Sequence, residues 1–446
     1  MGKELFGTDG IRGVAGEYPL DPATIYAFGV ALGDDTSKTQ AHPEILIGAD
    51  TRESSTWIAE LVAGGLESRG GRAHFAGVIT TPGVAYLTRT GPFVAGVMIS
   101  ASHNPYQDNG IKVFGHSGFK LPDTEEHFIE QEIFRLKERQ ISPQAVPLTV
   151  NQGFDRKYLE YLLSTVSERF DGLRLVVDCG NGASCRLAPE LFQRLGATVT
   201  VLANEPNGRN INLDCGALHV EKLRAEVLGR GADCGVAFDG DADRAMFVSA
   251  GGRIVDGDAV LFAQARALKA AGDLLRSTVV ATVMSNLGLE KALERDGIRL
   301  VRTPVGDKYV LEEMVRLEAP LGGEQSGHVI FREHATTGDG LLTALQLFQT
   351  ARRSGAGLDE LIRGLEVFPQ KLVNVRVKEK KALTELPSVA QEIRRVEEEF
   401  GGAGRVLVRF SGTEPLARVM VEGPTLEQVE NSTARIADAI RREMGA

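Results

Sequence analysis

Asp239-Gly240-Asp241-Ala242-Asp243-Arg244 sets three carboxylates at alternate positions with the smallest side chains between them. In extended backbone alternate side chains share a face, so these oxygens are expected to converge, and three adjacent like charges repel unless a cation neutralises them. Oxygen donors alone favour magnesium or calcium over zinc. A calcium-binding EF-hand is the competing explanation, but its glycine and its twelfth-position glutamate are replaced here by Arg244 and Ala250. Too few ligands remain to cage calcium; magnesium that keeps a coordination position for a phosphate oxygen fits better.

Three further clusters offer complementary chemistry. Ser100-Ala101-Ser102-His103-Asn104-Pro105 closes an apolar run and leads to Asp108-Asn109-Gly110-Ile111-Lys112. A hydroxyl in that place suits a nucleophile or phosphate carrier, with His103 and Lys112 near enough to meet the charge, although a plain Ser/Asn/Pro turn would look the same in isolation. Gly322-Gly323-Glu324-Gln325-Ser326-Gly327-His328 frames a carboxylate, a hydroxyl and an imidazole with glycine. Such a mixture can hold sugar hydroxyls, and His328 can move protons near neutral pH. Arg409-Phe410-Ser411-Gly412-Thr413-Glu414-Pro415, followed by Arg418, combines two guanidiniums, two hydroxyls and a flexible backbone, which together suit an oxyanion. A fifth glycine loop, Phe6 to Gly13, carries Arg12.

The elements that must position these clusters repeat. Short β-branched runs at 45–50, 173–178 and 278–283 are each followed by a helical stretch ending on a glycine, Gly70, Gly196 or Gly297. A second strand follows each glycine and breaks at Thr81-Pro82, Glu205-Pro206 or Thr303-Pro304. Another helix, another strand and a glycine-bearing loop complete each unit, and those loops are the serine, aspartate and glutamate clusters. Right-handed βαβ units place such loops at the carboxyl ends of strands, where open α/β sheets keep their sites. From Leu372 the order changes to strand, helix, two strands and an amphipathic helix over 426–444. The fold class expected is therefore α/β, with three similar mixed α/β domains of repeated βαβ units plus a smaller C-terminal α+β domain. The expected boundaries are 1–153 for the serine-bearing domain, 154–253 for the metal-binding domain, 254–368 for the sugar-binding domain and 369–446 for the phosphate-binding domain.

Composition agrees with a multidomain globular chain. At roughly 100 to 200 residues per domain, 446 residues predict three or four cores, and 43% hydrophobic residues with 25% charged residues exclude disorder as the main state. A formal charge of -10 argues against nucleic acid or an anionic membrane as a partner, so any anion must be caught by local clusters. Glycine is enriched, at 51 residues. Cys179, Cys185, Cys215 and Cys234 lack the spacing of a metal or disulfide framework and read as reduced thiols of a cytoplasmic protein. No run is long enough to span a membrane, and Met1 to Phe6 lacks a signal region. Assembly, a homodimer included, is left open by these patterns.

Taken in order, the five clusters and the three-plus-one plan resemble the α-D-phosphohexomutase family over essentially the whole chain. Phe6 to Gly13, the Gly48-Ala49-Asp50-Thr51-Arg52 turn, Asn210-Ile211-Asn212, Cys215-Gly216 and Glu324-Gln325-Ser326 are similar to its glucosamine-phosphate branch. The resemblance implies that Ser102 carries a phosphoryl group, gives it to one end of a hexosamine monophosphate, and recovers one from the other end after a bisphosphate intermediate turns over. It implies one magnesium ion on Ser102, Asp239, Asp241 and Asp243, with activating phosphorylation of Ser102. Arg12, His103, Lys112, Arg244 and His328 are the implied catalytic groups, with acid and base unassigned between Lys112 and His328. Substrate contacts are implied at Thr303, Gly306, Asp307, Glu324 and Ser326, and at Arg409, Ser411, Gly412, Thr413 and Arg418 for the distal phosphate. The net reaction would interconvert glucosamine 6-phosphate and glucosamine 1-phosphate, feeding UDP-N-acetylglucosamine and the bacterial cell wall. Lys308 stands where many relatives carry arginine, a point charge in place of a fork. Rival readings are a glucose- or mannose-phosphate mutase with the same machinery, a magnesium-dependent phosphatase with Asp239 as nucleophile, and a noncatalytic sugar-phosphate sensor.

Overall fold

The structure is a computed structural model that describes residues 4–7, 9–379, 381, 385–410 and 415–445. It divides into two compact units, residues 1–284 with 300–363, and residues 285–299 with 364–446.

The first sheet contains β1 (Phe6–Gly7), β2 (Gly10–Val14), β3 (Glu44–Ala49), β4 (Arg72–Val78), β5 (Ala95–Ile99) and β6 (Asp108–Gly115), in the order β1-β2-β6-β5-β3-β4. The second contains β7 (Arg174–Asp178), β8 (Thr198–Leu202), β9 (Cys234–Phe238), β10 (Ala245–Ser249) and β11 (Ile254–Val255), in the order β11-β10-β9-β7-β8. In the third, β12 (Thr278–Thr282), β13 (Arg299–Thr303), β14 (Leu321–Gly323) and β15 (Val329–Phe331) run β13-β12-β14-β15. Stripped of their extra edge strands, all three share one arrangement. A first strand lies between the second and third, and a hairpin strand closes on the third: β6-β5-β3-β4, β10-β9-β7-β8 and β15-β14-β12-β13. The central pairs β3/β5, β7/β9 and β12/β14 are parallel, and the hairpins β5/β6, β9/β10 and β14/β15 are antiparallel. The repeat expected from the sequence is thus present as a repeat of topology.

Local chemistry explains the helices between these strands. Thr80 caps the helix Thr81–Thr90 by accepting from the Gly83 N–H, with Pro82 in the first turn, where its missing N–H costs nothing. The Thr-Pro pair therefore starts a helix as well as ending a strand. Gly70, Gly196 and Gly297 all have left-handed φ values. The central strands are buried along their whole length, as sheets covered on both faces require.

In the second unit β16 (Gln370–Arg376), β17 (Arg405–Phe410) and β18 (Leu416–Glu422) form an antiparallel sheet in the order β16-β18-β17. Helices Pro387–Phe400 and Leu426–Met444 supply one apolar face each, so that Val389, Val396, Ile436 and Ile440 share a core with Val375, Val419 and Val421. The helix Leu287–Arg295 lies in this unit too.

Candidate active site

Of the three hairpin loops of the first unit, the one following β9 meets both the one following β5 and the one following β14. Ser102 is 1% exposed and held at φ +53, a left-handed conformation that a side-chain-bearing residue adopts at a cost. Its neighbours over-determine it. Arg52 Nη2 donates to the Ser102 carbonyl at 3.2 Å and to the Asn104 carbonyl at 2.6 Å, and Asn212 Nδ2 donates to the same two oxygens at 3.0 and 3.2 Å. Arg52 is itself fixed by a fully buried ion pair with Asp50.

Ser102 Oγ donates to Asp239 Oδ2 at 2.5 Å, and Asp239 Oδ1 accepts from the Arg244 backbone N–H at 3.1 Å. The triad Asp239, Asp241 and Asp243 is buried, with one oxygen of each within 4.8 Å of the others. Its convergence has a different cause from the extended alternation expected from the sequence. The loop is a turn in which Ala242 takes φ +55 and its N–H bonds the Asp239 carbonyl at 3.1 Å, folding the carboxylates inward. Gly240 is required there by close approach, because a Cβ at that position would lie 2.5 Å from the Ser102 carbonyl oxygen.

Lys112, on β6 and 1% exposed, places Nζ 2.9 Å from Asp241 Oδ2 and 3.3 Å from Asp243 Oδ2. Thr81 Oγ1 donates to Asp241 Oδ2 as well. Asp241 Oδ1 and Asp243 Oδ1 remain buried with no hydrogen-bond partner. Two orphaned carboxylate oxygens beside the Ser102 hydroxyl are a donor set that fits a hard divalent cation. Burial, and then the charges of Asp243 and Asp241, push the Asp239 carboxyl well above the carboxylate range, which is the repulsion a cation would relieve. For Lys112 burial opposes the charge, but Asp241, Asp9 and Asp243 outweigh it and hold an ammonium. For Asp243 burial is likewise overcome, chiefly by Lys112, so it stays a carboxylate.

His103 Nδ1 lies 3.3 Å from Ser102 Oγ. Burial first, then Arg244 and Arg12, bring this imidazole down to about 4, so it is neutral at pH 7. Arg12 on β2 pairs with Asp9 and reaches Asn104 Oδ1 at 3.5 Å, and Arg244 lies 3.8 Å from Asp243 Oδ1. In the third loop Glu324 Oε1 accepts from the Gly306 N–H at 3.2 Å, and Oε2 from Ser326 Oγ at 3.4 Å. Gly327, at φ +92, lets this loop abut the second; a Cβ there would be 2.4 Å from the Ala245 carbonyl oxygen. His328 is engaged at both nitrogens: Nε2 accepts from the Gly338 N–H at 2.9 Å and Nδ1 faces Asp243 Oδ2 at 3.7 Å. Thr303, 5% exposed, donates to the Pro304 carbonyl at 3.0 Å. Asp307 is drawn into an ion pair with Lys120 at 2.6 Å, and Lys308 pairs with Asp123.

The first unit thus gathers Arg12, Ser102, His103, Lys112, Asp239, Asp241, Asp243, Arg244 and His328, with Glu324 and Ser326 on the third loop. Arg409 and Arg418 belong to the second unit, directly opposite each other on β17 and β18. Burial and the Arg418 charge lower the Arg409 guanidinium, as expected of two cations sharing one place. Ser411, Gly412 and Thr413 lie outside the described residues. Residues the sequence reading did not assign are Asp9, Lys120, Arg52, Asn212 and Thr81. Arg52 and Asn212 stood in segments noted only for family likeness, and nothing local reveals that they hold carbonyls 50 and 110 residues away.

Known proteins match this arrangement from end to end. Profiles of the phosphoglucomutase/phosphomannomutase family fit residues 3–140 as α/β/α domain I, 156–252 as domain II, 256–368 as domain III and 372–439 as the C-terminal domain. A crystal structure of a phosphoglucomutase/phosphomannomutase family protein from Burkholderia thailandensis superposes with TM-score 0.79 at 22% identity, covering 98% of this chain and 97% of its own. The N-acetylphosphoglucosamine mutase of Aspergillus fumigatus, solved with GlcNAc-6P and magnesium, gives 0.69 at 18% identity over 99% and 96%. Those likenesses speak for the fold. In sequence, a phosphoglucosamine mutase of Koribacter versatilis is 51% identical over 99% of this chain and 98% of the relative, and one of Solibacter usitatus is 72% identical over all of both. With identity of that order over the full length and all four domain profiles matched, the chain belongs to the phosphoglucosamine mutase family, a phosphosugar mutase on the phosphohexomutase fold.

Proposed function

We propose that this cytoplasmic enzyme interconverts glucosamine 6-phosphate and glucosamine 1-phosphate through a phosphorylated Ser102 and a glucosamine bisphosphate. The observation that carries this reading is the 2.5 Å contact between Ser102 Oγ and an aspartate of the buried triad. A phosphoryl carrier and a divalent-cation site in one place are what phosphoryl transfer requires, because its transition state spreads charge over oxygens and is stabilised by positioned cations.

Asp239, Asp241, Asp243 and the Ser102 phosphoryl would hold one magnesium ion, which supplies neutralisation of charge on that phosphoryl group. The chain's own residues do the rest. In the first half-reaction a sugar hydroxyl attacks the Ser102 phosphorus; the sugar oxygen gives up its proton as the new P–O bond forms, the bond to Ser102 Oγ breaks, and Oγ takes up a proton in its place, so that no proton is gained or lost overall. His103, neutral and 3.3 Å away, is placed to exchange that proton. Lys112, Arg12 and Arg244 are fixed cations for the migrating group. His328, with both nitrogens engaged, orients Asp243. Glu324 and Ser326 offer acceptors and a hydroxyl to the sugar, with Thr303, Gly306 and Asp307 shaping the adjoining loop. Arg409 and Arg418, with Ser411, Gly412 and Thr413, suit the distal phosphate, matching guanidinium forks to phosphate oxygens.

Ser102→Ala is the decisive variant. It is expected to abolish mutase turnover in a coupled assay with glucosamine 6-phosphate and to lose an added phosphate seen by intact mass spectrometry. Release of inorganic phosphate from glucosamine 6-phosphate that persists undiminished in Ser102→Ala would favour the phosphatase scheme with Asp239 as nucleophile. Relative turnover of glucosamine, glucose and mannose phosphates tests the sugar, with a preference for glucosamine phosphate expected.

A further inference from the structure

Through the residues that meet the phosphoryl group runs an alternating line of charges, two of whose members, Asp9 and Lys120, the reaction as derived does not use. Asp307 Oδ2 receives Lys120 Nζ at 2.6 Å; Lys120 Nζ also donates to Asp9 Oδ1 at 2.5 Å. The other oxygen of Asp9 takes Lys112 Nζ at 3.0 Å, and Lys112 continues to Asp241 and Asp243. The side chain of Lys120 is 13% exposed, and those of Asp307 and Asp9 are 15% and 24% exposed. Asp307 opens the helix Asp307–Leu317, directly after Gly306, whose N–H holds Glu324.

From this geometry we infer that Lys120 is a positioning residue for phosphoryl transfer: one ammonium, shared by Asp9 and Asp307, ties the lysine at the metal loop to the loop that faces the sugar. Without Lys120, Asp9 keeps Lys112 and Arg12 but loses its anchor on the far side, and Asp307 loses its closest cation. Ion pairs sheltered from water keep their strength and direction, so the loss reaches Lys112 as a displacement, and displacements of about 1 Å at a reacting centre can cost on the order of a hundredfold in rate. Substrate still finds Glu324 and Ser326, so binding changes less than turnover.

This role rests on the mutase reading, and the two fail differently. Wild-type protein inert towards glucosamine 6-phosphate overturns the mutase reading; an active wild type matched by Lys120→Met overturns the role of Lys120 alone. The expected result with full-length protein is a kcat lowered at least tenfold in Lys120→Met while KM moves less than threefold. Lys120→Arg, which keeps a cation, should return to within threefold of wild type. Asp307→Asn should lower kcat in the same sense, and the double variant Lys120→Met/Asp307→Asn should fall no more than twofold below Lys120→Met, because residues of one network are not additive. A double variant whose loss is the product of the two singles overturns the proposal, as does a loss confined to KM. If Lys120→Met shows no thermal unfolding transition, Asp307→Asn decides, since it leaves the Lys120–Asp9 pair in place; unchanged kcat there overturns the inference.

Discussion

The loops after β5 and β9 differ from the loop after β14 in what occupies their left-handed position. In the first two it is a residue with a side chain, Ser102 at φ +53 and Ala242 at φ +55; in the third it is Gly327 at φ +92. A left-handed residue with a Cβ costs about 1–2 kcal/mol, so it persists only where surrounding bonds hold it. Arg52 and Asn212 do this for Ser102, and the Asp239 carbonyl and the Gly340 N–H, which donates to the Ala242 carbonyl at 2.9 Å, do it for Ala242. Those two loops aim a hydroxyl and three carboxylates. The third presents Glu324 and Ser326 from ordinary backbone and uses its left-handed residue to pass close to Ala245. Among the three hairpin loops, the strained side-chain-bearing residues sit in the two proposed to aim the phosphoryl chemistry.

The largest effect is expected from Gly240→Ala. Its Cβ would meet a backbone oxygen of the serine loop, which must move, and kcat/KM should fall by about a hundredfold, measured in the coupled assay. Activity within threefold of wild type would mean that the loops need not touch. Withdrawal of magnesium comes next: at a hundred times its Kd the ion should stabilise the fold by about 2.7 kcal/mol, read as a rise in Tm that Asp243→Asn removes. A Tm indifferent to magnesium would break the account of the orphaned oxygens.

Exchanging the loop residues tests the comparison directly. Gly327→Ala places a Cβ 2.4 Å from a carbonyl oxygen at a strained φ and should cost about 1–3 kcal/mol in denaturant unfolding. Ala242→Gly relieves one strain while adding chain entropy, so its effect should stay below about 1 kcal/mol. Equal costs would erase the distinction drawn here.

The smallest effect concerns the support behind the second loop. Asp339 caps the helix Gly340–Ser354 by accepting from the Leu342 N–H at 3.0 Å and receives the Tyr158 hydroxyl at 2.6 Å. Burial pushes its carboxyl up to about 6. The folded protein then holds this proton more tightly than the unfolded chain, so the stability it contributes is complete below the ordinary carboxyl range and is lost as pH rises through about 6. Wild type minus Asp339→Asn in Tm should therefore decrease between pH 4 and pH 7; a constant difference would contradict it.

Much of this was legible beforehand. The order strand, helix, two strands and a helix over 426–444 expected from Leu372 onward is the order found, because alternation and 3.6-residue periodicity are local signals. The threefold repeat is legible because each copy ends its first helix on a glycine and breaks its second strand before a proline. The turn geometry of the aspartate loop was not, since Ala242 carries no turn signal and its φ is set by bonds to Asp239 and Gly340.

By itself the order of residues singled out the groups proposed to carry the chemistry, a serine, three aspartates and their cations, since ionisation, metal preference and secondary-structure period are properties of residue types and short spacings. Only the tertiary structure decided that Ser102 touches Asp239, that Asp9 and Lys120 join Lys112 to Asp307, and that Arg52 and Asn212 hold the serine turn. Each of those contacts joins side chains more than a hundred residues apart or fixes a carbonyl from a distant loop, and such distances are settled by how sheets pack, which no local pattern encodes.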